Sequence, residues 1–370
     1  MPAIVFDRVS VSHGEILALN DVTLAFEERE LVTVVGPSGS GKSTLLRVIA
    51  GLETLAAGRL LIDGSDVGSV GSAQRDVAMV FQEHALYPHK TAEGNLLFPL
   101  EVRHVDEPER STRVERMARM LGLHRLLERQ PRTLSVGQRN AVATGRALVR
   151  DPAILLLDEP LANLDAKTRL RTRLEVRLRH EQSRATTLYA TNDQAEAMAL
   201  GDRTVVLNRG MVQQFDRPPV VYGRPANLFV ARFVGSPPMN ALSGVLEPEY
   251  PHYTWTSGNH QLTIPTRVVE QYPGLHGFMG RRVVLGIRPQ HLRPTVAEPF
   301  TSTLHGTCRQ IEDHGDERFA HLDVGEATVV VQVVDGGPVL GVGNRTEITV
   351  DLGHLHFFDP ETGTAIPPTP

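Results

Sequence analysis

The chain has 370 residues, of which 41% are hydrophobic and 22% are charged, and its formal net charge is −5. This length supports more than one domain with its own core, and no apolar run is long enough to span a membrane. The acidic balance argues against binding to nucleic acid through bulk charge, and the single cysteine, Cys308, excludes an internal disulfide.

The first 235 residues have the pattern of an α/β domain. Buried parallel strands are predicted by short β-branched runs at 31–35, 153–157, 186–190 and 204–207. Helical spacing of apolar residues predicts helices over 109–121 and 167–180. The stretch of about 90–150 is rich in helical patterns and interrupts the strands, so we predict an inserted helical subdomain there.

Residues 236–370 have the pattern of an all-β domain. The change follows Gly235-Ser236-Pro237-Pro238, after which alternating runs appear at 281–287, 327–334 and 346–352. Histidines are frequent in this part, but their irregular spacing favours scattered surface histidines over a structural zinc site. We therefore predict a small β barrel or sandwich behind the α/β domain.

Residues 36–43, with the sequence GPSGSGKS, fit the pattern G-x-x-x-x-G-K-[ST] between a predicted strand and a predicted helix. Glycines let the backbone N–H groups turn inward around a phosphate, and the helix N-terminus adds partial positive charge. Lys42 offers a charge to the β- and γ-phosphates, and Ser43 offers a hydroxyl to Mg²⁺. The predicted ATP-binding residues in this stretch are Gly36, Ser38, Gly39, Ser40, Gly41, Lys42, Ser43 and Thr44.

A second motif, AILLLDEP at 153–160, places two carboxylates at the end of a predicted strand. Open α/β sheets bind ligands at this end, where Asp158 is suited to hold Mg²⁺. Glu159 is then placed to polarise a water in line with the γ-phosphate. Alone, the motif fits a solvated acidic turn equally well, but beside the phosphate loop it predicts an ATPase.

These motifs, in this order, resemble the ATP-binding subunits of ABC transporters along nearly the whole chain. Phe81-Gln82 is similar to the family's glutamine loop, and the resemblance implies that Gln82 contacts Mg²⁺ and the attacking water. Asn163-Leu164-Asp165 is similar to the loop that crosses the dimer interface, which implies that Asp165 contributes to the nucleotide site.

Leu134-Ser135-Val136-Gly137-Gln138 resembles the signature of the family, which is usually LSGGQ. Alone, such a pentapeptide fits an ordinary helix cap, because serine is a preferred N-cap residue. A helix N-terminus also binds anions, and the resemblance implies that Ser135, Gly137 and Gln138 cap the γ-phosphate of an ATP held by a second protomer.

The C-terminal part resembles the linker and the β-rich regulatory domain of the maltose-type group, through residues 222–227, 233–240, 286–292 and 355–360. The resemblance implies an OB-like barrel and an importer of carbohydrates or glycerol phosphates. It implies work at the cytoplasmic face of the membrane with two polytopic membrane subunits and a substrate-binding protein. It also implies a second ATPase subunit, with a homodimer favoured over a heterodimer.

Three positions depart from the pattern of the family. His13 stands where relatives commonly stack an aromatic on adenine, and Val136 replaces a glycine of the signature. Asn192, in Thr191-Asn192-Asp193-Gln194, stands where relatives carry a histidine that contacts the γ-phosphate and fixes the catalytic glutamate. An amide can donate a hydrogen bond but cannot become a cation.

Asn192 leaves two hypotheses open. In the first, the amide substitutes adequately and the chain is a slow but working ATPase. In the second, the site binds ATP but hydrolyses it poorly, and a competent second subunit is needed. The retained Gln82, Asp158, Glu159 and Asp165 favour the first.

A soluble ABC ATPase in DNA maintenance or translation is the alternative from another class. Members in DNA maintenance need a long coiled coil between the phosphate loop and the signature, and no sustained heptads lie there. Members in translation usually carry two cassettes, whereas this chain has one phosphate loop. The import ATPase is therefore favoured, without nucleic acid as a partner.

Overall fold

The computed structural model describes residues 2–81, 86–162, 166–294, 301–313, 315, 317–334 and 340–369. The chain divides into two units, Met1–Pro219 and Val220–Pro370. Within the described ranges, no helix combines the length and the apolar character needed to cross a membrane.

The strands of the first unit are β1 Pro2–His13, β2 Ile16–Glu27, β3 Leu31–Val35, β4 Ala57–Ile62, β5 Ser65–Asp66, β6 Val77–Val80, β7 Ile154–Asp158, β8 Thr186–Thr191, β9 Arg203–Asn208 and β10 Met211–Asp216. One sheet has the order β10-β9-β3-β8-β7-β6, in which β9, β3, β8, β7 and β6 pair in parallel. The other has the order β2-β1-β4-β5 and is antiparallel. The parallel sheet confirms the predicted α/β class.

The three central strands of the parallel set are buried along their whole length because both faces of the sheet are covered. β3, β7 and β8 have no exposed residue, as expected for parallel strands between two layers. Val32 and Val34 of β3 pack into one core, and the neighbouring Leu31 packs into the other. This alternation follows from the two-residue period of a strand, in which successive side chains point to opposite faces of the sheet.

The helices of the first unit are α1 Lys42–Ala50, α2 Ala92–Val102, α3 Glu107–Met120, α4 Val136–Leu148, α5 Ala166–Gln182 and α6 Gln194–Leu200. Two further helices follow, α7 Pro218–Gly223 across the boundary and α8 Leu228–Phe233 in the second unit. Leu96, Met117 and Val142, from α2, α3 and α4, share one apolar cluster between β6 and β7 in the chain. These helices account for the helical insert predicted at about 90–150.

The second unit consists mainly of antiparallel strands. They are β11 Asn240–Glu249, β12 His252–Ser257, β13 His260–Pro265, β14 Arg282–Ile287, β15 Leu292–Pro294, β16 Thr301–Asp313, β17 Arg318–Val324, β18 Ala327–Val333, β19 Arg345–Asp351, β20 His356–Phe358 and β21 Ala365–Ile366, with the short helix α9 Thr266–Glu270. The sheet orders are β13-β12-β11-β14-β20-β21 and β15-β19-β16-β17-β18. Buried residues of both sheets form one core, which confirms the predicted all-β domain.

The segment 220–235 belongs to the second unit, so that unit begins before the predicted boundary at 235/236. The buried guanidinium of Arg288 donates to the carbonyl oxygens of Tyr222 and Val234. Arg288 also stacks on the Tyr222 ring, with its guanidinium carbon 3.6 Å from the ring centroid. These contacts hold the segment to the β-rich unit, and they depend on an arginine more than fifty residues further along the chain.

Candidate nucleotide-binding site

The phosphate loop joins β3 to α1, as predicted. A Cβ at Gly36 would lie 2.1 Å from the carbonyl oxygen of Leu207, and one at Gly41 would lie 2.5 Å from that of Ala18. Gly41 also has φ 104°, in the region that favours glycine. The loop therefore needs glycine at both positions to pass between β2 and β9.

Lys42, the first residue of α1, is only 4% exposed. Its Nζ donates to the carbonyl oxygens of Gly36 and Pro37, both at 3.0 Å, and to Asn192 Oδ1 at 2.6 Å. Burial lowers the pKa of Lys42, and the nearby carboxylates of Glu159 and Asp158 partly oppose this shift. The loop thus holds a buried amine on its own carbonyl groups, where a phosphate oxygen would compete for it.

Ser43 and Asp158 form the predicted pair of oxygen ligands. Ser43 Oγ donates to Asp158 Oδ1 at 3.0 Å, and Asp158 ends β7 with 4% exposure. Burial raises the pKa of Asp158, while the hydrogen bond from Ser43 works in the opposite direction. A hydroxyl beside a carboxylate is the hard-oxygen donor set that suits Mg²⁺, so these residues fit the cation that the sequence predicts.

Glu159 and Asn192 meet because their strands are neighbours. Asp158 of β7 lies opposite Ala190 of β8, so the residues that follow both strands emerge at the same sheet edge. Asn192 Nδ2 donates to Glu159 Oε1, while Asn192 Oδ1 accepts from Lys42 Nζ. The amide therefore links the lysine of the phosphate loop to the predicted catalytic carboxylate, and this double contact fixes which way the amide faces.

A buried carboxylate that sequence reasoning missed holds the loop of Asn192. Glu196 is 3% exposed, and its Oε2 accepts from Tyr189 at 3.0 Å and from Thr191 at 2.8 Å. Asp193 caps α6 by accepting from the Glu196 backbone N–H at 3.1 Å. The run Asp193-Gln194-Ala195-Glu196 has the spacing of a capping box, but the Asp193 N–H donates to Thr191 Oγ1 and the Glu196 carboxylate accepts from Tyr189 and Thr191 instead, so this spacing does not indicate the role. Burial raises the pKa of Glu196.

Replacing Glu196 with alanine is expected to destabilise the first unit and to slow ATP turnover. The buried hydroxyls of Tyr189 and Thr191 would lose their acceptor, at a cost of about 1–3 kcal/mol each, partly offset by removal of a buried charge. Urea unfolding measures the first effect, with the exposed Glu109→Ala as the control. An unchanged free energy of unfolding would show that Glu196 does not hold this loop.

The candidate site is a cleft of about 600 Å³. The predicted residues that line it are His13, Ser38, Gly39, Gly41, Lys42, Ser43, Thr44, Glu159 and Asn192. Gly36 and Asp158 stand behind them, bonded to Lys42 and Ser43, and Ser40 is buried within the loop. Gln82 and Asp165 lie outside the described residues.

The outer wall of the cleft contains His13 together with residues that sequence reasoning missed. His13 Nε2 lies 3.1 Å from Glu53 Oε2, and the exposed Ile16 and Leu17 continue the wall along β2. Arg209 joins them from the turn between β9 and β10. That turn is tied to the phosphate loop by the hydrogen bond from the N–H of Gly210 to the carbonyl of Ser40, at 2.9 Å.

The signature residues Ser135, Gly137 and Gln138 do not line this cleft. They stand at the start of α4, beside a separate cavity of about 310 Å³. Gln138 N–H donates to Ser135 Oγ at 3.3 Å, and Ser135 N–H donates to Gln138 Oε1 at 3.0 Å, which forms a capping box. Val136 leaves this cap intact, and none of the three signature residues is among those that line the cleft of the phosphate loop.

The parallel sheet, the phosphate loop and the paired carboxylates define a P-loop ATPase with an inserted helical subdomain. The chain belongs to the ATP-binding subunits of ABC transporters: the family model for "ABC transporter" matches residues 19–162. The models "MalK OB fold domain" and "TOBE domain" match 235–292 and 285–358.

Relatives cover essentially the whole chain. The ABC transporter ATP-binding protein YurJ of Bacillus subtilis is 40% identical over 368 residues, with 99% of this chain and all of that protein covered. The sn-glycerol-3-phosphate import ATP-binding protein UgpC of Paracoccus denitrificans is 42% identical over 99% of both chains. The trehalose/maltose import ATP-binding protein MalK of Thermococcus litoralis is 42% identical over 95% of this chain and 96% of that protein.

A solved structure also resembles the first part of the chain. The ATP-binding cassette MJ0796, a dimer bound to ADP and Pi in a post-hydrolysis state, has a TM-score of 0.54 and 31% identity. It covers 58% of this chain, and 98% of its own length is matched. The fold, the site and these relatives together establish an ATPase.

Proposed function

We propose that this chain is the ATP-hydrolysing subunit of an ABC importer for a carbohydrate or a glycerol phosphate. The hydrogen-bonded series Lys42–Asn192–Glu159 carries the proposal, because it joins the phosphate loop to a carboxylate placed to act as a base. The substrate class comes from full-length relatives that import sn-glycerol-3-phosphate and trehalose or maltose.

The residues of the cleft divide the work of binding. Backbone N–H groups of the loop and the Lys42 amine hold the phosphates, and His13 with Ile16 and Leu17 offers a surface for the base. Ser43 and Asp158, joined by Gln82, would hold Mg²⁺, whose charge neutralises phosphate oxygens.

Glu159 accepts the proton of the attacking water, and Asn192 keeps its carboxylate in position. The Nδ2 donor of Asn192 makes the positioning contact that relatives obtain from a histidine. Because this contact needs no positive charge, it supports the hypothesis of a working ATPase over that of a degenerate site.

Ser135, Gly137 and Gln138 act on the ATP of a second ATPase subunit, as does Asp165. The position of Ser135, Gly137 and Gln138 outside the chain's own cleft supports this division, and so does the dimeric state of the MJ0796 cassette. A homodimer is the simplest such assembly. It would dock on two polytopic membrane subunits at the cytoplasmic face of the membrane, and those membrane subunits would receive substrate from a binding protein.

Asn192→Ala is expected to lower ATP turnover by about 10²–10³-fold, the usual loss for one positioned contact of this kind. Asn192→His should keep turnover at least at the wild-type level, because the imidazole restores a donor toward Glu159. Steady-state turnover of the assembled complex tests both variants. Equal turnover of wild type and Asn192→Ala would mean that the amide does not position Glu159.

Purification of the tagged chain from detergent-solubilised membranes tests the proposed function as a whole. We expect it to copurify with polytopic membrane proteins, and its ATP turnover to rise when the binding protein carries maltose, trehalose or sn-glycerol-3-phosphate. A chain that is recovered without membrane proteins, and whose turnover responds to none of these solutes, would instead favour a soluble ABC ATPase.

A further inference from the structure

Two histidines and an aspartate of the second unit lie side by side. Asp351 Oδ2 accepts from His354 Nδ1 at 2.8 Å and lies 3.9 Å from His291 Nδ1. One nitrogen or oxygen atom from each of these residues lies within 4.8 Å of the other two. We call His291, Asp351 and His354 the HDH cluster.

Strand register creates the HDH cluster. β15 pairs antiparallel with β19 so that Leu292 lies opposite Val350. His291, one residue before Leu292, therefore stands beside Asp351, one residue after Val350. The chain then turns through the 3-10 helix Leu352–His354, where Asp351 Oδ1 accepts from the N–H of Gly353 at 3.0 Å. This turn returns His354 to the same carboxylate, against the ring of His291.

Two imidazole nitrogens and a carboxylate oxygen are ligands typical of zinc and its neighbours in the first transition row. Ligand atoms about 2.0 Å from a tetrahedral zinc are about 3.3 Å apart. The distances of 2.8 and 3.9 Å from Asp351 Oδ2 to the histidine nitrogens lie on either side of that value. The separation of the Asp351 oxygen from the two histidine nitrogens is therefore compatible with a shared cation.

Binding requires one ring to turn. The His291 and His354 rings are parallel, at an angle of 7° with centroids 3.8 Å apart, so their nitrogen lone pairs do not yet converge. The His354 side chain is 54% exposed and the His291 side chain 25% exposed, so His354 is the ring with more room to turn once it leaves the His291 ring. Arg288 and Arg293 lie within electrostatic range of His291, so the site should bind more weakly than a closed site with four protein ligands.

We propose that the HDH cluster binds a divalent transition-metal ion of the zinc class, with water completing the coordination. The metal would link the residue before β15 to the end of β19 and so stabilise the β15 edge of the sheet β15-β19-β16-β17-β18. This site is independent of the ATP cleft and of the proposed function, since none of its residues lines that cleft.

Calorimetric titration of the nucleotide-free, chelator-treated full chain with Zn²⁺ tests the proposal. We expect one equivalent that His354→Ala and Asp351→Asn each weaken by at least about tenfold. His321→Ala is the matched control, because His321 also pairs with a carboxylate of this domain, Glu312 at 3.2 Å, but lies outside the cluster. Full-strength zinc binding in both cluster variants would overturn the proposal, as would a wild type that binds no zinc.

Thermal unfolding keeps the test independent of any damage to the fold. Zn²⁺ should raise the unfolding midpoint of the wild type and of His321→Ala, because a ligand that binds the native state stabilises it. The same addition should raise the unfolding midpoint of His354→Ala much less, because its zinc affinity is lower. Without metal, the midpoint of His354→Ala should match that of the wild type, since the side chain is exposed. An equal zinc-induced rise in His354→Ala would place the metal elsewhere.

Discussion

Replacing Glu159 with glutamine is expected to reduce ATP turnover by about 10²–10⁴-fold, the range that a positioned general base contributes. Glutamine keeps the Oε1 acceptor that receives the hydrogen bond from Asn192, so the side chain should stay in place. The substitution removes only the ability to take a proton from water. ATP affinity should change little, because Glu159 is not a ligand of the phosphates.

Steady-state phosphate release from the assembled complex measures this loss, and equilibrium binding of labelled ATP measures the affinity. Glu109→Gln is the matched control, since Glu109 is an exposed carboxylate of α3 that pairs with Arg113. If Glu159→Gln hydrolyses ATP as fast as the wild type, the working-ATPase account fails, and a degenerate site that depends on a competent partner becomes the better explanation.

Replacing Lys42 with alanine is expected to weaken ATP binding by about 10- to 150-fold. A hydrogen bond to a charged group contributes about 1.5–3 kcal/mol, and each 1.4 kcal/mol corresponds to about tenfold in affinity. Lys42 Nζ already points among the carbonyl groups of Gly36 and Pro37, so the loop presents the amine ready for phosphate.

Lys90→Ala is the control for this change. Lys90 is one of the only two other lysines of the chain, and its amine lies over the Phe98 ring, 5.2 Å from the ring centroid. Binding of labelled ATP to the isolated chain measures the effect, with circular dichroism to verify folding. If the ATP affinity of Lys42→Ala lies within about twofold of that of the wild type, Lys42 does not contribute to phosphate binding.

The elements nearest the site could be predicted from the sequence because their signals are local. The predicted strand at 31–35 is β3, and the helix predicted after the phosphate loop begins at Lys42. The loop between them is specified by glycines whose backbone has no room for a side chain. The position of Asp158 and Glu159 at the end of a strand could also be predicted, because both acidic residues directly follow an apolar run.

Contacts between distant segments could not be predicted in the same way. The antiparallel sheet of β1, β2, β4 and β5 was missed, although β2 alternates exposed and buried residues along most of its length. Arg209 reaches the cleft only because a turn bonds to the phosphate loop. The HDH cluster depends on strand register, which irregular histidine spacing conceals.

The two hydrogen bonds of Asn192 show that a departure from a family motif does not by itself reveal whether a contact is lost. From the sequence, the loss of the histidine indicated a missing cation and left two hypotheses open. In the structure, the amide bonds Lys42 through its oxygen and Glu159 through its nitrogen. An amide can accept and donate in this way only when the ends of β7 and β8 and the phosphate loop lie close together, and the sequence alone does not show that arrangement.

Solute uptake into vesicles tests the central claim most directly. The complex purified with this chain would be reconstituted with ATP on the side of the ATPase subunits and the binding protein on the other. The account predicts that labelled maltose, trehalose or sn-glycerol-3-phosphate accumulates with wild-type chain and not with Glu159→Gln. Steady ATP hydrolysis without accumulation of any of these solutes would contradict it.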